Sequence, residues 1–120
     1  MRSQVRCARS FVRFGSFERL LHLDLTKQEQ AEQVANLARY CISCCYPELL
    51  PTAAGGAEAG AAAYRALFKA VCNRTAAMCA GMMSEGFVHG VLNTDNLLLS
   101  GEVLDCKLTS NLPLCDRWAH

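Results

Sequence analysis

Between Tyr64 and Met82 the chain carries one sustained helical period. Tyr64, Leu67, Phe68, Val71, Cys72, Thr75, Met78, Cys79 and Met82 recur at i, i+3, i+4 and i+7 steps over about five turns. Residues spaced in this way share one face of a helix. The stretch therefore has to bury an apolar stripe, and a stripe of Met and aromatic residues reads as core rather than as a cofactor site. Gly86 suits the left-handed residue just past a helix end. A second helix is expected at about 27–45, where Thr26 can cap the first turn and Glu29 completes a capping box. Val34, Leu37, Cys41 and either Cys44 or Cys45 line one side of it. Pro47 prevents continuation and pushes Tyr46 out of helical geometry. Residues 1–25 mix Arg, Phe and Leu without a clean period.

After Gly86 the pattern changes. Residues 87–92, Leu97–Leu99 and Val103–Leu104 are short, apolar and compatible with strands. They are separated by the polar cluster 93–96 and by Gly101, both turn signals. Two long helices followed by short strands and a loop predict a mainly α (α+β) architecture. Residues 51–63, PTAAGGAEAGAAA, are of low complexity, offer no core anchor and read as a linker or loop insertion. The next helix starts softly near 58–62, because alanine is itself a good helix former. Residues 106–120 have no periodicity.

A chain that is 52% hydrophobic and 19% charged can bury a core, and a net charge of +1 points to neither a nucleic-acid nor a membrane partner. No run reaches the roughly 18 apolar residues that a bilayer span needs, so a soluble protein is expected. Arg2, Arg6, Arg9 and Arg13 cluster at the start. They suit a phosphate-facing patch or the opening of a transit peptide; the second would precede the fold, which is read here as beginning at once. Eight cysteines would make a disulfide framework only in a secreted context, and no secretory segment is visible. Cys41-x-x-Cys44 is half a zinc site without a second pair. On the apolar side of a helix both read as small buried hydrophobes.

The segment from His89 to Asp105 holds what a magnesium–nucleotide site requires. Magnesium takes hard oxygen ligands from one or two carboxylates or amides, with phosphate and water completing the shell. Asn96 and Asp105 offer such oxygens from either side of a tight hairpin, and Asp95 could orient an attacking hydroxyl or accept its proton. This is similar to the protein-kinase arrangement of a catalytic Asp, a following Asn on metal and a second Asp on metal. A plain Asx-rich turn accounts for the same residues, since Asn and Asp bond nearby backbone.

The run GFVHGVLNTDN at 86–96 resembles the signature GFxHGVxNTDN of the selenoprotein O (SelO/YdiU) family. RCARSFVRFGSFE at 6–18 resembles that family's RxAxSxxRFGxFE. Tyr46 and Pro47 after a helix, and Arg74, Thr75 and Ala76 within the next, resemble further family elements. The resemblance covers residues 6–105, a partial kinase-like domain over 1–105 interrupted by the Ala/Gly-rich stretch 53–63, with a divergent tail at 106–120. It implies a partial protein-kinase-like fold, C-lobe helices plus the catalytic-loop hairpin, with the ATP-gripping lobe lying upstream. It also implies protein adenylyltransferase chemistry: AMP moves from ATP to Ser, Thr or Tyr hydroxyls of protein substrates, with Mg2+. By position, Asp95 is then the proton acceptor. Asn96 and Asp105 are the magnesium ligands, Asp105 facing the nucleotide as well. Arg6 and Arg13 contact its phosphates, and His89 is structural. A eukaryotic source implies the mitochondrion, a bacterial one the cytoplasm.

Two features favour a second reading, a non-catalytic helical remnant or binding module. Cys106 and Lys107 stand where the family has Tyr-Gly after the second Asp, and the ATP-gripping lobe is expected to be missing, so that this fragment alone is expected to be inactive. The segment 79–82 also lacks the family's usual tryptophan. Helices without their usual partners are also expected to leave apolar faces exposed.

Overall fold

A computed structural model describes residues 7–50 and 57–104, the backbone alone at 57–59. Three α-helices account for most of it: α1 (Phe14–Leu21), α2 (Lys27–Cys45) and α3 (Ala57–Ser84), with a 3-10 turn at Pro47–Leu49 after α2. The architecture is mainly α. Among the described residues there is no strand, only two isolated antiparallel bridges, Arg13 with Leu98 and Leu97 with Val103.

Helix α2 starts where its caps dictate. The Thr26 hydroxyl accepts from the Glu29 amide at 3.3 Å, and the Glu29 carboxylate accepts from the Thr26 amide at 2.9 Å. The Thr26 hydroxyl also donates to the Glu29 carboxylate at 2.7 Å, and this bond, followed by the one from the Thr26 amide, holds the Glu29 carboxyl below the usual carboxylate range. Ala38, Cys41, Ile42 and Cys45 form the buried stripe of α2. The 41–44 pair is thus split: Cys45, not Cys44, faces inward, and Cys44 is exposed, which corrects the expectation of two buried thiols. The reason is angular: Cys45 sits one turn above Cys41. Burial, with Cys45 and Cys44 adding to it, pushes the Cys41 thiol up to about 12.

Helix α3 ends as its sequence requires. Gly86 has φ +70°. Its amide donates to Met83 O at 3.0 Å and the Phe87 amide donates to Met82 O at 2.8 Å, the two bonds of a Schellman motif. At the other end the helix takes in Ala57–Ala63, residues read from sequence as linker, and Ala63 is 1% exposed in the core. The inward face of α3 is Ala63, Leu67 and Val71. Phe68, assigned to the core from its period, is instead 72% exposed, and Cys72 is exposed too. The long helix meets α2 along one side only, so among the described residues nothing covers the far edge of its stripe. Between α1, α2 and α3 lies an apolar groove of about 540 Å³, lined by Phe17, Val34, Ala38, Tyr64, Leu67 and Phe68 among others.

The first helix is the element sequence periodicity did not resolve. Its N-cap, Arg13, has no side-chain acceptor to offer, and only the reciprocal half of a capping box forms: the Ser16 hydroxyl accepts from the Arg13 amide at 3.2 Å. Helix α1 is held from outside. Phe14 N donates to Leu97 O at 3.0 Å, Gly15 N to Thr94 O at 2.9 Å, and Leu99 N to Val12 O at 2.9 Å. Residues 12–15 thereby run antiparallel along the loop 94–99.

One buried joint ties these parts together. The Tyr46 side chain is fully buried, and its hydroxyl donates to Leu99 O at 2.6 Å. Arg74 on α3 lies over the Tyr46 ring, donates to Cys45 O at 2.8 Å and pairs with Glu48 at 3.2 Å. The Cys45 carbonyl belongs to the last turn of α2, so the guanidinium satisfies an acceptor the helix leaves open.

Candidate active site

The segment 87–104, expected as short strands around a hairpin, is built from turns. Gly90 and Gly101 have φ of +80° and +88°, and the polar side chains bond locally instead of leaving the backbone to a ladder. Asn96 is the hub. Its amide N–H donates to both the carbonyl and the side-chain oxygen of Asn93, at 3.1 and 3.0 Å. Its side-chain Nδ2 donates to Val91 O at 3.0 Å, and its carbonyl accepts from Leu104 N at 2.9 Å. With Nδ2 engaged, the amide oxygen is the atom of this side chain that can act as a hard ligand. The tight hairpin is present but short: Gly101 N donates to Leu98 O and Leu98 N to Glu102 O, at 3.0 and 2.9 Å, and Leu97 bridges Val103.

His89 is 3% exposed. Its Nδ1 accepts from Val91 N at 3.3 Å, and Phe87 meets its ring edge-on at 6.5 Å. With Nδ1 accepting, the proton of the neutral ring sits on Nε2, an atom that is buried without a hydrogen-bond partner among the described residues. A buried ring held in this way suits the structural role expected for it.

Asp95 lies within the turn that Asn93 and Asn96 close, and is exposed. Its Oδ1 lies against Gly15, 2.8 Å from where a β-carbon on that glycine would sit. Thr94, one residue earlier, donates its hydroxyl to Glu18 Oε2 at 3.0 Å. Arg13 is exposed, and its backbone bridges Leu98. Three of the expected site residues, Arg13, Asp95 and Asn96, are therefore drawn to one loop by backbone pairing. Arg6 and Asp105 lie outside the described residues; Leu104, beside Asp105, is bonded to Asn96. No three His, Cys, Asp or Glu side chains gather into a metal-holding group among the described residues. Sequence reasoning assigned no part to Gly15, Glu18 or Thr94, although all three stand inside the quoted motifs.

A model of the family described as "Protein adenylyltransferase SelO" matches residues 2–107. The chain belongs to the SelO family. Three proteins named "Protein nucleotidyltransferase YdiU" are similar to it. That of Synechocystis sp. is 40% identical over 101 residues, covering 84% of this chain and 19% of the relative. That of Bordetella pertussis is 42% identical over 100 residues, covering 83% and 20%. That of Shewanella baltica is 39% identical over 101 residues, covering 84% and 19%. The chain spans about a fifth of the length of the curated relatives it matches. No solved structure matches it. Membership accounts for the SelO signature at 86–96 and for the arginine-bearing run at 6–18, which meets it at Thr94 and Asp95 through Gly15 and Glu18.

Proposed function

We propose that this chain carries the catalytic loop of a magnesium-dependent protein adenylyltransferase, within a partial protein-kinase-like fold. In this reading a Ser, Thr or Tyr hydroxyl of a protein substrate attacks the α-phosphorus of ATP. Asp95 takes the hydroxyl proton, AMP becomes bonded to the oxygen, and pyrophosphate leaves. Asn96 and Asp105 hold Mg2+, and the donor set fits, being one amide and one carboxylate, both hard oxygens. The ion, when bound, neutralises charge on the phosphates. Arg6 and Arg13 grip those phosphates through planar guanidinium forks. Compartment follows source, mitochondrion or bacterial cytoplasm.

The observation that supports this best is the bond from Leu104 N to Asn96 O at 2.9 Å. It joins the peptide beside one intended ligand to the peptide of the other across the turn. The test is ATP binding by the purified chain with and without magnesium, against Asp105→Ala. Magnesium-dependent binding that the variant loses supports the reading. No binding by either, with helical circular dichroism retained, favours the second reading, a non-catalytic helical binding module. The observation behind that alternative is the uncovered groove together with Cys106 and Lys107.

A further inference from the structure

Thr94 is fixed to α1 at two atoms. Its carbonyl accepts from Gly15 N at 2.9 Å, and its hydroxyl donates to Glu18 Oε2 at 3.0 Å. A threonine in a turn ordinarily bonds its own neighbouring backbone. Here the hydroxyl goes to a carboxylate 76 positions away in sequence, the stronger, charge-assisted kind of bond. Asp95 is the next residue. Its Oδ1 occupies the space that a side chain at position 15 would need, at 2.8 Å from the ideal β-carbon, with Thr94 O at 3.4 Å from the same point. Gly15 has no positive φ, so the glycine is needed for clearance rather than for backbone conformation.

We propose that Glu18 is a positioning residue for Asp95, acting through the Thr94 hydroxyl, and that Gly15 supplies the clearance in which the Asp95 carboxylate sits. Helix α1 is then a clamp on the catalytic turn. Glu18 touches neither nucleotide nor hydroxyl substrate; it fixes the peptide that bears the proton acceptor. The catalytic meaning of the clamp rests on the proposed adenylyl transfer, while the clamp itself does not.

The experiment is amide hydrogen exchange by NMR on the 120-residue chain, followed by the binding assay above. In Glu18→Ala and Thr94→Val, exchange at Gly15 and Asn96 is expected to quicken by about tenfold while α2 and α3 amides hold within about twofold. Thr94→Ser, which restores the hydroxyl, should return the loop to the wild-type rate. Gly15→Ala gives an independent arm. Alanine is the better helix former, so α1 should survive while the carboxyl carbon signal of Asp95 shifts. Loop amides unchanged in Glu18→Ala, an equal rise across all helices, or an Asp95 signal indifferent to Gly15→Ala would each overturn the clamp. If the wild-type chain binds no magnesium ATP, the adenylyl-transfer reading fails instead, and exchange still decides the clamp. Where binding is seen, Glu18→Ala should keep nucleotide affinity within about threefold, because the change removes no side chain assigned to the phosphates or the ion. An affinity lost in step with the loop order would mean that Glu18 holds the nucleotide site rather than Asp95.

Discussion

The guanidinium carbon of Arg74 stands 3.9 Å from the centre of the Tyr46 ring. That stacking joins the middle of α3 to the residue at which α2 stops. Burial raises the Tyr46 phenol above its ordinary value, with the Arg74 charge opposing the rise, so the ring keeps its proton and remains a donor to Leu99 O. The pair thereby reaches the loop that bears Asn96 without either residue entering it.

Tyr46→Phe removes the buried donor and leaves the Leu99 carbonyl unsatisfied. A loss of about 1–3 kcal/mol is expected, measured by urea unfolding. Arg74→Lys keeps the charge but not the planar fork that serves the ring, Cys45 O and Glu48 together. It should cost about 1–2 kcal/mol.

Gly101→Ala faces two obstacles. Its φ of +88° disfavours any side chain, and a β-carbon would lie 2.7 Å from Arg74 Cβ, an atom fixed to the α3 backbone. Destabilisation of about 1–3 kcal/mol is expected, read as a lower thermal midpoint.

Neighbouring residues on α3 should respond in opposite ways. Leu67→Ala opens the core and should cost about 2–5 kcal/mol. Phe68→Ser, at a side chain mostly in solvent, should stay within about 0.5 kcal/mol. Comparable losses at both positions would mean that the groove is covered in solution.

The raised thiol of Cys41 has a defined sign. Its folded value exceeds the ordinary one, so the neutral thiol is favoured by folding. That stability is complete below about pH 9 and is lost as pH climbs towards about 12. Unfolding midpoints should fall over that window, and less so in Cys41→Ala measured against its own neutral-pH midpoint. At pH 8 a thiol reagent should label exposed Cys7, Cys44 and Cys72 well before Cys41.

Helices α2 and α3 were legible because their signals are local: Thr26 with Glu29, Gly86, and a repeating stripe. Helix α1 was not, because Arg13 supplies no capping acceptor and eight residues give too short a period to stand out. The expected strands failed for a related reason, since Asn93, Asn96 and the positive-φ glycines satisfy the backbone locally. Phe68 was misplaced because a period reports which residues share a face, not how far a partner helix extends along it. The motif 86–96 marked Asp95 and Asn96. The contacts of Gly15 and Glu18 with 94–95 span nearly the whole described chain, and no window of sequence carries them.

Many of the ties that hold the loop and the helices behind it end on a peptide oxygen. Tyr46 reaches Leu99 O, Arg74 reaches Cys45 O, Asn96 reaches Val91 O, and Phe14 and Gly15 reach Leu97 O and Thr94 O. A peptide oxygen is present whatever side chain is attached. Positions 45, 91, 97 and 99 are thus free to drift among residues of similar bulk while the anchors persist, whereas Tyr46, Arg74 and Asn96, which supply the side-chain donors, are not. Mutational tolerance across this chain should be lopsided in that way, with donors intolerant and acceptors indifferent.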